Sequence, residues 1–101
     1  MTTSPSVPAT LVWLTHEEGG RTTPPAGPRY TAPARMGSWN EISAEQACWS
    51  LRVDRTQQTG PFEWRANVSF VVPEAPHDAL RPGTRFALYE GRRCVARGLL
   101  S

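Results

Sequence analysis

The chain has 101 residues and a formal charge of +2, with eleven arginines and no lysine set against nine acids. Schiff-base chemistry and the Walker phosphate loop both require a lysine, so neither reaction class nor a P-loop nucleotide site fits this chain. Every cation is a guanidinium suited to forked contacts with carboxylate or phosphate, yet a balance of +2 with interleaved acids does not by itself mark a nucleic-acid binder.

The opening Thr/Ser/Pro-rich stretch lacks the basic and apolar regions of a secretory signal, and residues 1–8 are read as a flexible segment. Leu11, Trp13 and Thr15 then alternate with Val12, Leu14 and His16, which predicts a strand, and Glu17-Glu18-Gly19-Gly20 supplies a turn. Pro24, Pro25, Pro28 and Pro33 exclude a helix, leaving a loop and an edge-type strand over residues 29–35. Glu41 to Ala47 has helix-forming composition but is short, and is read as a turn or one helical turn.

Alternation is clearer in the second half. Trp49, Leu51 and Val53 share one face of a strand over residues 47–54, and Thr56 to Pro61 reads as a polar turn. Trp64, Ala66, Val68, Phe70 and Val72 alternate with Glu63, Arg65, Asn67 and Ser69, the strongest strand signal in the chain, which Pro73 stops. Pro82-Gly83 marks another turn, and Arg85 to Glu90 and Arg93 to Leu100 form a hairpin about Glu90-Gly91-Arg92. Six short strands without intervening amphipathic helices predict one all-β barrel or sandwich over residues 9–101, with a radius of gyration of roughly 13 Å.

Catalytic and metal signatures are sparse. His16 and His77 have no serine or cysteine elbow nearby, and with Cys48 and Cys94 they lack zinc-ligand spacing, so no cofactor is expected. Both cysteines are read as reduced, buried small hydrophobes in a cytoplasmic protein. Glu17 and Glu18 are adjacent on an extended segment and point apart, which disfavours an acid/base pair. Trp13, Trp49 and Trp64 fall on apolar strand phases and are assigned to the core; Trp39, in Gly37-Ser38-Trp39-Asn40, is the expected exposed aromatic.

Two segments carry a resemblance. Residues 11–24, LVWLTHEEGGRTTP, and residues 82–98, PGTRFALYEGRRCVARG, resemble the first and last strand regions of the third, C-terminal domain of bacterial elongation factor Tu, where an EEGGR turn follows the first strand and an RFAxREGGR hairpin closes a barrel. Gly27-Pro28-Arg29-Tyr30 sits where that family has a Gly-Tyr-Arg-Pro loop. The resemblance implies a six-stranded antiparallel β-barrel that binds macromolecules and lacks the GTPase domain. In the family this barrel packs on the GTPase domain, touches the exchange factor and supports the T stem of aminoacyl-tRNA.

Residue by residue, Gly19, Gly20 and Arg21 match the EEGGR turn, while Glu90 and Arg93 match the closing hairpin, whose glutamate contacts tRNA in the family. Tyr89 replaces the arginine before that glutamate, Arg92 replaces the second hairpin glycine, Thr22 stands for a histidine, and Thr31 falls where a tRNA-contacting glutamine is expected. The expected partner-contacting residues are therefore Arg21, Arg29, Trp39, Glu90, Arg92 and Arg93, with Gly19, Gly20, Gly83 and Gly91 shaping turns. The leading expectation is a non-enzymatic, protein-binding barrel with no membrane or nucleotide partner. The alternatives are a tRNA- or rRNA-binding accessory protein, and an immunity-like mimic that occupies an elongation-factor surface.

Overall fold

In the computed structural model, which describes residues 6–21, 23–37, 48–75 and 77–101, six strands close an antiparallel barrel. They are β1 (Val7–Trp13), β2 (Arg29–Met36), β3 (Trp49–Gly60), β4 (Glu63–Phe70), β5 (Arg85–Glu90) and β6 (Arg93–Leu100), in the closed spatial order β1-β4-β3-β2-β5-β6. The single short helical element is a 3₁₀ turn over His77–Ala79 among the described residues. The radius of gyration is 12.6 Å. No helix of the described residues is long and apolar enough to cross a membrane.

The period-2 pattern dictates which face fills the barrel. Leu11 and Trp13 from β1, Leu51 and Val53 from β3, Trp64, Ala66, Val68 and Phe70 from β4, and Phe86 and Leu88 from β5 are all buried together. Trp13 meets Trp64 edge-on at 5.0 Å between ring centroids, a favourable aromatic arrangement that fills the middle of the barrel. Arg55 lies with its guanidinium 5.1 Å from the Trp64 ring centroid.

Five expectations need correction. β1 starts at Val7, pairing Val7 with Val68 and Pro8 with Asn67, so residues 7 and 8 belong to the barrel rather than to a flexible leader. β2 is no edge strand: it pairs with β3 on one side and β5 on the other. Pro33 is tolerated because the β2–β5 ladder spans only Ala34 to Met36, stopping one residue short of the ring nitrogen that has no proton to donate. The polar stretch 56–60 is strand, not turn, because β3 continues past two register shifts to Gly60 and only Pro61 and Phe62 turn the chain.

The fourth correction concerns Trp49, which is 36% exposed rather than core. It opens β3 opposite Ala34, at the last rung of the β2–β3 ladder, and so lies at the rim while Leu51 and Val53 carry the same phase inward. Cys48 is likewise exposed, and only Cys94 is half-buried; both are free thiols. Trp39 and the stretch 41–47 lie outside the described residues.

Candidate functional site

The turn after β1 is built by its own sequence. The Thr15 amide donates to Glu18 Oε1 at 2.8 Å and the Glu18 amide lies 3.3 Å from Thr15 Oγ1, the reciprocal pattern of a capping box. The Gly20 amide then donates to the Thr15 carbonyl at 2.8 Å and the Gly19 amide to the His16 carbonyl at 3.0 Å, the paired bonds of a Schellman closure. Gly19 takes φ of +89°, and a Cβ on Gly20 would collide with the Leu14 carbonyl, so neither position accepts a side chain without strain. Arg21 leaves this turn in a fixed direction. Glu18 is consumed by the turn, and its bond from the Thr15 amide holds its carboxyl below the usual range.

The closing hairpin delivers the second half. Glu90 and Arg93 pair across a two-residue loop in which Gly91 has φ of +65° and Arg92 needs no positive φ, so only the first loop position demands glycine. Glu90 continues the inward phase of Phe86 and Leu88 to one mouth of the barrel. Tyr30 reaches the same mouth by continuing the phase of Ala32 and Ala34 along β2.

There the three side chains meet. Tyr30 and Arg21 both donate to Glu90 Oε2, and Arg93 Nη2 lies 3.8 Å from Glu90 Oε1. Arg21 is braced by a second bond, Nε to the Thr23 carbonyl at 3.0 Å, and sits 5.9 Å from the Tyr30 ring centroid. Tyr30 in turn packs edge-on against Trp13 at 5.1 Å, which ties the polar cluster to the aromatic core. Above it opens a cleft of about 350 Å³ lined by His16, Arg21, Thr23, Glu90 and Arg93.

The electrostatics follow from these contacts. Partial burial pulls the Glu90 carboxyl upward, but bonds from Tyr30 and Arg21 and the charges of Arg21 and Arg93 outweigh it, holding Glu90 below the ordinary carboxylate range. Burial, then the bond to Glu90, pushes the Tyr30 phenol well above its ordinary value. Glu90 is thus a firmly ionised acceptor and Tyr30 a firmly protonated donor. Neither is poised to exchange protons near neutrality.

The structure brings together three of the six expected contact residues: Arg21, Glu90 and Arg93. Arg29 is elsewhere, with Nε 2.8 Å from Asp54 Oδ1, and Arg52 approaches the other oxygen of that carboxylate at 3.7 Å. The β2–β3 register, which sets Arg29 opposite Asp54, holds it on the outer wall. Arg92 is exposed at the hairpin tip, next to the cleft in sequence but not lining it. Gly83, at φ of +91°, turns the chain into β5.

Tyr30, His16 and Thr23 are the residues that sequence reading did not assign to this site. Counting by twos from Ala34 would have pointed Tyr30 inward. His16, expected at a strand end, belongs to the turn and lines the cleft. His77, with Nε2 3.1 Å from the Pro73 carbonyl and its ring edge-on to Phe70, is a locally bonded histidine. Among the described residues there is no group of three or more His, Cys, Asp or Glu placed to hold a metal ion.

Compared with the models of known protein families and with curated proteins, the chain matches none.

Proposed function

We propose that this barrel is a non-enzymatic binding module for another protein, a free-standing relation of the third domain of elongation factor Tu that works without a GTPase. The carrying observation is the contact of Arg21 with Glu90, 69 positions apart in sequence, because it joins the two segments on which the resemblance rests. A shared turn alone would require only its glycines. The joined cluster presents a fixed carboxylate, two guanidinium groups, a threonine and an imidazole on one open cleft, the composition of a polar recognition surface. Protonation states locked by Tyr30 and Arg21 favour holding a partner over acid/base chemistry.

A protein partner is favoured over RNA because Arg21 is already matched by Glu90, which leaves the cleft with a small net charge. The test is affinity capture with tagged protein at micromolar concentration, comparing the native chain with Arg93→Glu and identifying both protein and RNA. Support is one defined protein that the native chain enriches and Arg93→Glu does not. Recovery of tRNA or rRNA in its place, or of nothing that distinguishes the two baits, overturns the reading.

A further inference from the structure

The cleft at the barrel mouth holds more hydrogen-bond donors than the chain itself uses. Glu90 Oε2 already accepts from Tyr30 and Arg21, while Oε1 lies 3.8 Å from Arg93 Nη2, near enough for charge attraction and too far for a hydrogen bond. Arg93 is therefore drawn toward the cleft without spending a donor on it, and its side chain stays 55% exposed. Among the described residues, the Thr23 hydroxyl and the His16 ring make no hydrogen bond either, and both line the same space. Arg21 is the fixed wall, held at Nη1 by Glu90 and at Nε by the Thr23 carbonyl.

The charges lining the cleft decide what it can take. Two guanidinium groups share the one carboxylate, so with histidine neutral a single positive charge is left over. A cationic group would meet no open acceptor, because one oxygen of Glu90 already carries two bonds and the other faces Arg93. One carboxylate balances the excess, and its two coplanar oxygens match the fork of a guanidinium. A phosphate monoester would set nearly two negative charges beside Glu90, more than the site offsets.

We propose that this cleft receives one carboxylate of a partner protein, with Arg93 forked onto its two oxygens and the Thr23 hydroxyl donating beside it. The proposal rests on the protein-binding reading above and names the group by which that partner is held. Glu90 touches no partner in this arrangement. It fixes Arg21 and draws Arg93 inward, so removing its charge leaves the cleft more attractive to a carboxylate, the opposite of what a cation-binding Glu90 would give. The carboxylate has two sources, an Asp or Glu side chain or the free end of a chain, and the test separates them.

Random twelve-residue peptides are selected on phage against the full chain, in one library with free C termini and one with the peptide ends fused. The best synthetic peptides are then measured by fluorescence polarisation and mapped by amide chemical shifts. Expected are shifts at His16, Thr23 and Arg93, and affinity lower by about tenfold or more when one Asp or Glu becomes Asn or Gln, or when the free end is amidated, which identifies the source. Arg93→Glu should abolish that binding, Thr23→Val weaken it, and Glu90→Gln leave it equal or tighter, with thermal melting showing each variant folded at the assay temperature. Weaker binding in Glu90→Gln, unchanged binding in Arg93→Glu, or selection of basic peptides overturns the proposal. Transfer RNA that shifts the same residues and is lost in Arg93→Glu overturns it in favour of RNA. Peptides that bind without a carboxylate or away from the cleft, or no selected peptide at all, remove the proposal but leave the protein-binding reading to the captured protein; no selected peptide together with no captured protein removes both.

Discussion

At the scale of the residue, Glu90 is the group on which most contacts converge, and its protonation ties the cluster to stability. Because its folded-state affinity for protons is held below the ordinary carboxylate value of 4.5, Glu90 contributes stability that is present above that pH and lost as pH falls through the folded value. Urea unfolding midpoints followed from neutral pH down to about pH 3 should therefore fall more steeply for the native chain than for Glu90→Gln. Tyr30→Phe removes one charge-assisted bond while keeping the ring on Trp13, and should cost about 1–2 kcal/mol at neutral pH. The tryptophans give a complementary contrast. Trp64, with no exposed surface, should cost about 3–5 kcal/mol when truncated to alanine. Trp49 at the rim should cost about 1 kcal/mol or less, which thermal melts of the two variants will separate.

At the scale of the element, the closing hairpin makes the sharpest prediction. Gly91→Ala places a Cβ at φ of +65° and should destabilise by about 1 kcal/mol, whereas Gly27→Ala, with open space around it, should be close to neutral in the same chemical denaturation series. β1, β3 and β4 were legible from alternation because one face of each packs inward, β2 as the extended stretch among prolines, and β5 and β6 as apolar-rich segments about Gly91, where the loop needs positive φ. Strand ends were less legible. Thr56, Gln57, Gln58 and Thr59 have turn-like polarity, yet both faces of the ribbon there meet solvent, so polarity carries no information about backbone pairing. Pro33 pointed to an edge, but the observed ladder ends beside it, a local solution that composition does not reveal. The Schellman closure of the Glu-Glu-Gly-Gly turn, in contrast, was written in the order of its residues.

At the scale of the whole molecule, barrel closure creates the candidate site. β1 pairs with β4 and β6, and β2 with β3 and β5, so strands far apart in sequence become neighbours and no edge remains open. Pairings of this kind are absent from period-2 patterns, which is why the resemblance put Arg21 and Glu90 among the contact residues without joining them, and why counting along β2 turns Tyr30 inward but does not bring it to Glu90. Closure also distributes charge around the barrel. Arg29 and Arg52 share Asp54 on the outer wall of β2 and β3, while Arg21 and Arg93 share Glu90 at the mouth. These four arginines share two carboxylates, which leaves little uncompensated charge at the mouth and on the β2–β3 wall for a phosphate backbone. If tRNA is retained at low salt, the logarithm of its binding constant should fall with the logarithm of salt by a slope no steeper than about −2 to −3, as for two or three phosphate contacts. Filter binding across a salt series measures that slope, and a value near −5 that relaxes in Arg92→Ala or Arg93→Ala would shift the functional assignment from protein to RNA.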